Sequence, residues 1–337
     1  MRVSPSSDAR VAQLVEHAIE NRSVGGSTPS PGTISGADIT LAANSTLPRT
    51  HFFLALAVMV VWGSNFVVIK VALTHLPPLL LAALRFTCAF LPAAFFLKRP
   101  AVPWRNLAAY GVLIGAGQFG LLFIAMKSDI TPGLASLVVQ SQVFFTIGLS
   151  MWLTGERMKW FQGAALGLAS AGLGVILFNA NGSATPLGLM LVLGAALSWA
   201  AGNMVSRAAG KVDQLAYVVW ASLFAVPPLF GFALIFEGWP AIVRGISDAD
   251  TLTWAAVVWQ AVGNTMFGYG VWGWLLARHP ASTVTPMALL VPVFGIGAST
   301  LLLGEPIQGW KIVAGVLVLT GLALSMLWPR FSASTAA

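Results

Sequence analysis

FFLALAVMVVWGSNFVVIKVAL, Phe52 to Leu73, carries a single charged residue, Lys70, and is long enough to cross the ~20 residues of a hydrocarbon core as a helix. Nine further runs follow it, roughly Leu79 to Leu97, Asn106 to Ala125, Gly133 to Leu153, Phe161 to Phe178, Leu187 to Val205, Tyr217 to Phe236, Leu252 to Leu276, Ala281 to Leu303 and Trp310 to Leu327. With 57% hydrophobic and 9% charged residues, a chain of 337 residues cannot coat a water-exposed globule, so lipid is its solvent. Backbone groups in lipid must bond within the chain. These runs lack the polar alternation of barrel strands, so the expected fold is an all-α membrane protein of ten transmembrane helices.

The ten runs divide into five and five. The loop after the fourth reads Gly155, Glu156, Arg157, and the loop after the ninth reads Gly304, Glu305, Pro306, 149 positions on. Trp62 and Lys70 in the first run correspond to Trp199 and Arg207 in the sixth, 137 positions on. An odd number of spans per unit makes the second copy enter from the opposite side, which predicts two inverted five-helix repeats, 49–180 and 181–330, followed by a cytoplasmic tail, 331–337. Lys and Arg favour cytoplasmic loops, and Arg49, Lys98, Arg99, Arg105, Arg157, Lys159, Arg207, Lys211, Arg278 and Arg330 fall on one side. Both termini are therefore expected in the cytoplasm. These charges form no stripe, so the net charge of +7 reads as topology and not as a nucleic-acid surface.

The stretch Val11 to Pro31 is polar, rich in Ser, Gly and Pro, and resembles the peptide produced when a transfer-RNA gene is translated by mistake. Residues 1–48 are accordingly expected to be a disordered, mis-annotated extension, with neither the apolar run nor the cleavage site of a signal peptide.

Polar residues inside spans are costly and face a cavity or another helix. The substrate-binding candidates are Asn65, Lys70, Arg85, Gln118, Gln140, Gln142, Trp199, Asn203, Asn264 and Tyr269. Trp62, Asn65 and Ile69 share a helical face, as do Ser136 with Gln140, and Trp199 with Asn203 and Arg207. Each has a plainer alternative: snorkelling for Lys70, interhelical hydrogen bonding for the amides, and an interfacial belt for Tyr269, Trp272 and Trp274. Pro286 and Pro292 are hinge candidates, since each breaks the ninth span and frees backbone carbonyls; Pro92, Pro227 and Pro228 interrupt other spans.

No Asp or Glu falls clearly inside a span, because Glu156 and Glu305 sit at loop edges and Asp129, Asp213, Glu237, Asp248 and Asp250 lie in loops. A buried carboxylate relay is therefore not evident. No phosphate-binding loop is present, the four histidines are dispersed, and the lone Cys88 reads as a small core residue, so neither metal nor cofactor is expected. An intramembrane enzyme would need a converging acidic or histidine cluster. A merely structural membrane protein would not need Lys70, Arg85 and several amides in its spans.

VVWGSNFVVIKVAL (Val60 to Leu73), PPLLLAALRF (Pro77 to Phe86), GLASLVVQSQVFFT (Gly133 to Thr146), SWAAGN (Ser198 to Asn203), GYGVWG (Gly268 to Gly273) and LLVPVFG (Leu289 to Gly295) resemble the EamA-type drug/metabolite transporters, and within them the bacterial exporters of O-acetylserine and cysteine. The resemblance implies an inner-membrane carrier with a central cavity between two repeats, exporting small amino-acid metabolites by alternating access. Other amino acids, aromatic compounds or drugs are the alternative cargo. It places Trp62, Asn65, Lys70, Arg85, Gln140, Gln142 and the Gly155 to Arg157 turn in the family's most recognisable stretches. The second turn departs from that pattern, because Pro306 stands where the basic residue is expected.

Overall fold

The computed structural model describes residues 47–154, 158–179, 182–279 and 281–334. Residues 1–46 of the expected extension 1–48, and the Gly155 to Arg157 turn, lie outside the described residues. Leu47 and Pro48 already belong to the folded part: Leu47 packs against the cluster around Ala55 and Leu275, and the Pro48 carbonyl accepts from Phe52 N.

Over the described residues the chain forms helices joined by loops, with one isolated antiparallel bridge between Ile130 and Ala184. In order it forms α1 (Arg49–Ala72), α2 (Pro78–Ala94), α3 (Trp104–Ser128), α4 (Pro132–Leu153), α5 (Trp160–Asn179), α6 (Pro186–Ala208), α7 (Gln214–Glu237), α8 (Trp239–Asp248), α9 (251–278), α10 (281–303) and α11 (Gly309–Ser334). Among the described residues, eight helices are long and apolar enough to cross a membrane; α2 is a shorter apolar helix, and α9 is interrupted midway by a change of helical pitch. Phe96, Phe178 and Leu301 are more than 80% exposed, an outward apolar surface that suits lipid and would be a liability in water. The multi-pass membrane fold read from the sequence is thus observed. One helix was not: 239–248, read as loop, forms α8, started by Gly238 at φ 80° and by Pro240 in its first turn.

Several helices depart from α geometry, and the departures recur. Leu113–Gly120 in α3 and Gln260–Phe267 in α9 are π-helical, 147 positions apart. Val139–Ser141 in α4 and Thr285–Leu289 in α10 are 3-10 turns at a similar interval. The freed carbonyls find partners: Ser198 Oγ donates to Leu113 O at 2.8 Å, Thr265 Oγ1 to Gln260 O at 3.0 Å, and Gln140 Nε2 to Ala288 O at 3.4 Å.

One end of the bundle is tied by polar groups that read in the sequence as loop residues. Glu237, closing α7, accepts from the first N–H groups of α2, Leu79 at 2.6 Å and Leu80 at 3.1 Å. Glu305 caps α4 through Gly133 N at 3.2 Å and accepts from Thr131 Oγ1 at 2.5 Å, from Ser299 Oγ and from Lys311 Nζ at 2.9 Å. Gly304, at φ 66°, ends α10 in the left-handed conformation that turns Glu305 back toward α4. Lys70 Nζ donates to Met126 O and Lys127 O, both at 3.0 Å, and Lys127 Nζ donates to Leu73 O at 2.5 Å, so each ammonium sits on the carbonyl end of a neighbouring helix. At the other end the dispersed-histidine reading is corrected for one pair: His51 Nδ1 and His279 Nε2 lie 2.7 Å apart, brought together by α1 packing against the end of α9.

Candidate functional site

A cavity of about 440 Å³ runs from mid-bundle toward the end where α6 and α9 finish and α7 begins. Its wall takes Trp62, Asn65, Phe66 and Ile69 from α1; Tyr110, Gln118, Phe119 and Leu122 from α3; and Val139, Gln140, Gln142 and Val143 from α4. Trp199, Asn203 and Ser206 of α6, Gln214 of α7, Asn264, Tyr269, Trp272 and Leu276 of α9, and residues of α10 and α11 complete it. The non-α turns give this placement a cause. The π turns of α3 and α9 carry Gln118, Phe119 and Asn264, and the 3-10 turns of α4 and α10 carry Val139, Gln140, Thr285, Ala288 and Leu289. Such irregular turns re-aim side chains and expose carbonyls, and they are frequent at functional sites.

Every candidate from the sequence except Lys70 and Arg85 lines this space. The shared face of Trp62, Asn65 and Ile69 is part of the wall, as is the pair Trp199 and Asn203; Arg207 instead reaches Ser150 Oγ at 3.3 Å. Tyr269 and Trp272 also line it, their ring centroids 5.5 and 5.4 Å from that of Trp62, whereas Trp274 meets His51 and Arg278. Pro286 and Pro292 are not in the wall but flank residues that are. The wall holds no Asp, Glu, Lys, Arg or His. Its polar surface is amide, hydroxyl and indole. Asn203 Nδ2 donates to Gln142 Oε1 at 3.1 Å and to Thr146 Oγ1 at 3.3 Å, linking α6 to α4, and Trp62 Nε1 donates to Asn264 O at 3.2 Å, linking α1 to α9. Asn65 Oδ1 and Gln118 Oε1, on two residues of the wall, are buried without a partner, two acceptors left unsatisfied beside the chamber.

Arg85 lies behind the wall. It is 1% exposed, with its guanidinium carbon 3.6 Å from the centroid of Phe119 and 5.1 Å from that of Phe86. Its one hydrogen bond is long, Nη2 to Thr265 Oγ1 at 3.4 Å, and Nε and Nη1 have no acceptor. An intramembrane arginine costs about 2.5–3.5 kcal/mol even by insertion scales. The aromatic stack returns about 2 kcal/mol, so the site is held at a net cost. Phe119 and Thr265 were not singled out from the sequence. Nothing in an apolar run marks a Phe that stacks on a cation from another helix.

The bundle thus lines a chamber with uncharged polar groups, amide, hydroxyl and indole, the surface a small polar solute would meet. The EamA-like transporter family matches twice, at residues 50–178 and 186–327, and the chain belongs to that family. It is 42% identical over 83% of its length to a "Probable amino-acid metabolite efflux pump" of Salmonella typhimurium, covering 96% of that protein. It is 41% identical over 85% of its length to a protein of the same description in Escherichia coli K12, covering 97% of it. A crystal structure at 21% identity superposes over 84% of this chain and 99% of its own with a TM-score of 0.58, a likeness of fold.

Proposed function

We propose that the chain is a secondary exporter of the bacterial inner membrane, moving small amino-acid metabolites of the O-acetylserine and cysteine kind outward by alternating access. The observation that carries this reading is the uncharged amide-rich wall with its two idle acceptors, Asn65 Oδ1 and Gln118 Oε1. A zwitterion with a small neutral side chain needs acceptors for its ammonium and donors for its carboxylate, and a chamber of about 440 Å³ is ample for one. The description of both relatives as amino-acid metabolite efflux pumps supports the substrate class. The aromatic cluster of Trp62, Tyr269 and Trp272 favours a second cargo, aromatic amino acids, within the same mechanism.

In this reading the bundle has ten spans in two inverted repeats, 49–180 and 181–330, with both termini and the tail 331–337 cytoplasmic. The matched π turns of α3 and α9, the matched 3-10 turns of α4 and α10, and the doubled family match support the duplication. The cavity then faces inward, and the end tied by Glu237, Glu305, Lys70 and Lys127 faces out. Pro286 and Pro292 act as hinges where α10 bends past the solute.

The test is efflux of labelled cysteine and O-acetylserine from loaded proteoliposomes, with and without a pH gradient. Export dependent on the protein is expected. No export of either compound by folded protein sinks the amino-acid reading. Asn203→Leu, which removes the link to Gln142 and Thr146, is expected to lower the export rate about tenfold, a loss of about 1.4 kcal/mol, without lowering the melting temperature by more than a few degrees. An unchanged rate removes Asn203 from the solute path.

A further inference from the structure

Arg85 is a cation with donors to spare and nothing to give them to. Among the described residues no carboxylate pairs with it, and Nε and Nη1 are buried without an acceptor. Thr265 Oγ1, whose own proton goes to Gln260 O, accepts from Arg85 Nη2 only at 3.4 Å, a long contact for a guanidinium. Packing does not account for such a group. A chain that needed only volume there would hold an apolar residue at lower cost, since a buried charge is retained only with compensation.

One ring touches both this cation and the chamber. Phe119 stacks on the guanidinium at 3.6 Å and is itself wall of the cavity. The ring sits in the π turn of α3, between Gly117 and Gly120, with Gln118 and its unpartnered Oε1 beside it. A π turn that relaxes to α geometry shifts the following side chains by one residue's rotation, roughly 100°. Such a change carries Phe119 off the guanidinium and turns the remainder of α3 with it. Thr265, the hydrogen-bond partner of Arg85, belongs to the second π turn, so the cation meets both π segments.

We infer that Arg85 is the carboxylate-reading residue of this carrier, screened by Phe119 while the chamber is empty and uncovered when an anionic group enters. The inference rests on the chamber being the solute site. The ring gives up its stack, and the idle N–H groups of Arg85 supply charge-assisted hydrogen bonds to the solute's carboxylate. This gives a wall without a single charged residue a means of selecting acids. It also makes the charge available only to a ligand that displaces the ring, so water and small cations meet a neutral chamber.

The experiment uses the purified full chain and two probes, S-methylcysteine and its carboxamide, which differ only in the group that Arg85 reads. The wild type is expected to bind the acid at least tenfold more tightly than the amide. Arg85→Gln is expected to bind the two equally, and Arg85→Lys to keep part of the preference. If Arg85→Gln retains the full preference, the inference is overturned while the export reading stands. A second measurement does not depend on the amino-acid probes. In Phe119→Ala, phenylglyoxal is expected to label Arg85 several-fold faster than in the wild type, read by mass spectrometry, and acetate is expected to slow it. If the wild type binds neither probe, the amino-acid reading fails and the labelling decides the inference alone. Arg85 left unlabelled in Phe119→Ala, or labelled without protection by acetate, overturns it.

Discussion

Lys311→Met is expected to cost about 3–5 kcal/mol of stability, the range for removing one partner of a buried ion pair, and Glu305→Gln added to it is expected to restore most of that loss. The two side chains are 5% and 9% exposed and their charged atoms are 2.9 Å apart. Without the ammonium, Glu305 keeps only neutral donors, Thr131, Ser299 and the N–H of Gly133, around a full negative charge in a largely buried pocket. The amide oxygen of glutamine can accept from Gly133 N–H and Ser299, its NH2 can donate to the Thr131 hydroxyl oxygen, and it carries no charge to strand. Thermal melts of the single and double variants in detergent measure the difference. If the two melt together, the pair does not hold this end of the bundle.

The same site has a signed pH dependence. Burial pushes the Glu305 carboxyl up, but the hydrogen bonds from Ser299, Thr131 and Lys311 and the nearby Lys311 charge outweigh it and hold the group below its ordinary value. A carboxylate lowered on folding adds stability that is fully present above its unfolded value of about 4.3 and is lost as the pH falls through the lowered folded value. The contribution is thus constant across the neutral range and fails only in acid. Lys311→Met removes two of the lowering causes, so its acid loss is expected to begin at higher pH than in the wild type. This carboxylate joins α4, α10 and α11 at the tied end of the bundle.

How much of this was legible in the sequence follows from the range of the forces involved. Helix positions were readable because lipid imposes a length and an apolar composition on each span locally; the runs read from Phe52 to Leu73 and from Gly133 to Leu153 match α1 and α4 to within a few residues. Asn65, Gln118, Gln140, Gln142, Asn203 and Asn264 stood out because amides in apolar runs are costly, and all of them line the cavity. What failed to show depends on neighbours far along the chain. Glu305 looked like a loop residue, yet it is buried by contacts with Thr131 and Gly133, more than 170 positions away. His51 and His279 are 228 apart in sequence and share a hydrogen bond. Arg85 was visible as a buried charge, but its screen, Phe119, is one apolar residue among many until α2 and α3 are packed. The π turns were equally hidden, since the hydroxyl of Ser198 that satisfies Leu113 O belongs to another helix.

Gly111→Leu is expected to abolish the folded state, or to destabilise it by well over the ~1–3 kcal/mol usual for overpacking, whereas Gly167→Leu is expected to be silent. Gly111 and Gly115 stand one turn apart on α3 and face Ala221 and Ala225, one turn apart on α7. A Cβ at 111 would overlap the Ala221 carbonyl oxygen and lie 3.1 Å from Phe224 Cβ, and one at 115 would overlap the Ala225 methyl. The Ala221 oxygen belongs to helical backbone and cannot rotate aside, so the larger residue must drive the helices apart. Separation also breaks a polar seam on the same face: Tyr217 donates to Asn106 Oδ1 at 2.6 Å, Asn106 Nδ2 donates to Val205 O at 2.8 Å, and the rings of Tyr110 and Tyr217 sit 4.8 Å apart. That seam joins α3, α6 and α7 just beside Tyr110 and Gln214, two residues of the cavity wall. Gly167 on α5 has nothing within 4 Å of where its Cβ would lie, and a leucine there adds apolar surface to a face that meets lipid. Expression level and a size-exclusion profile in detergent separate the two variants. Equal behaviour would mean that the small residues of α3 do not set its distance from α7, and that the chamber's width is fixed elsewhere.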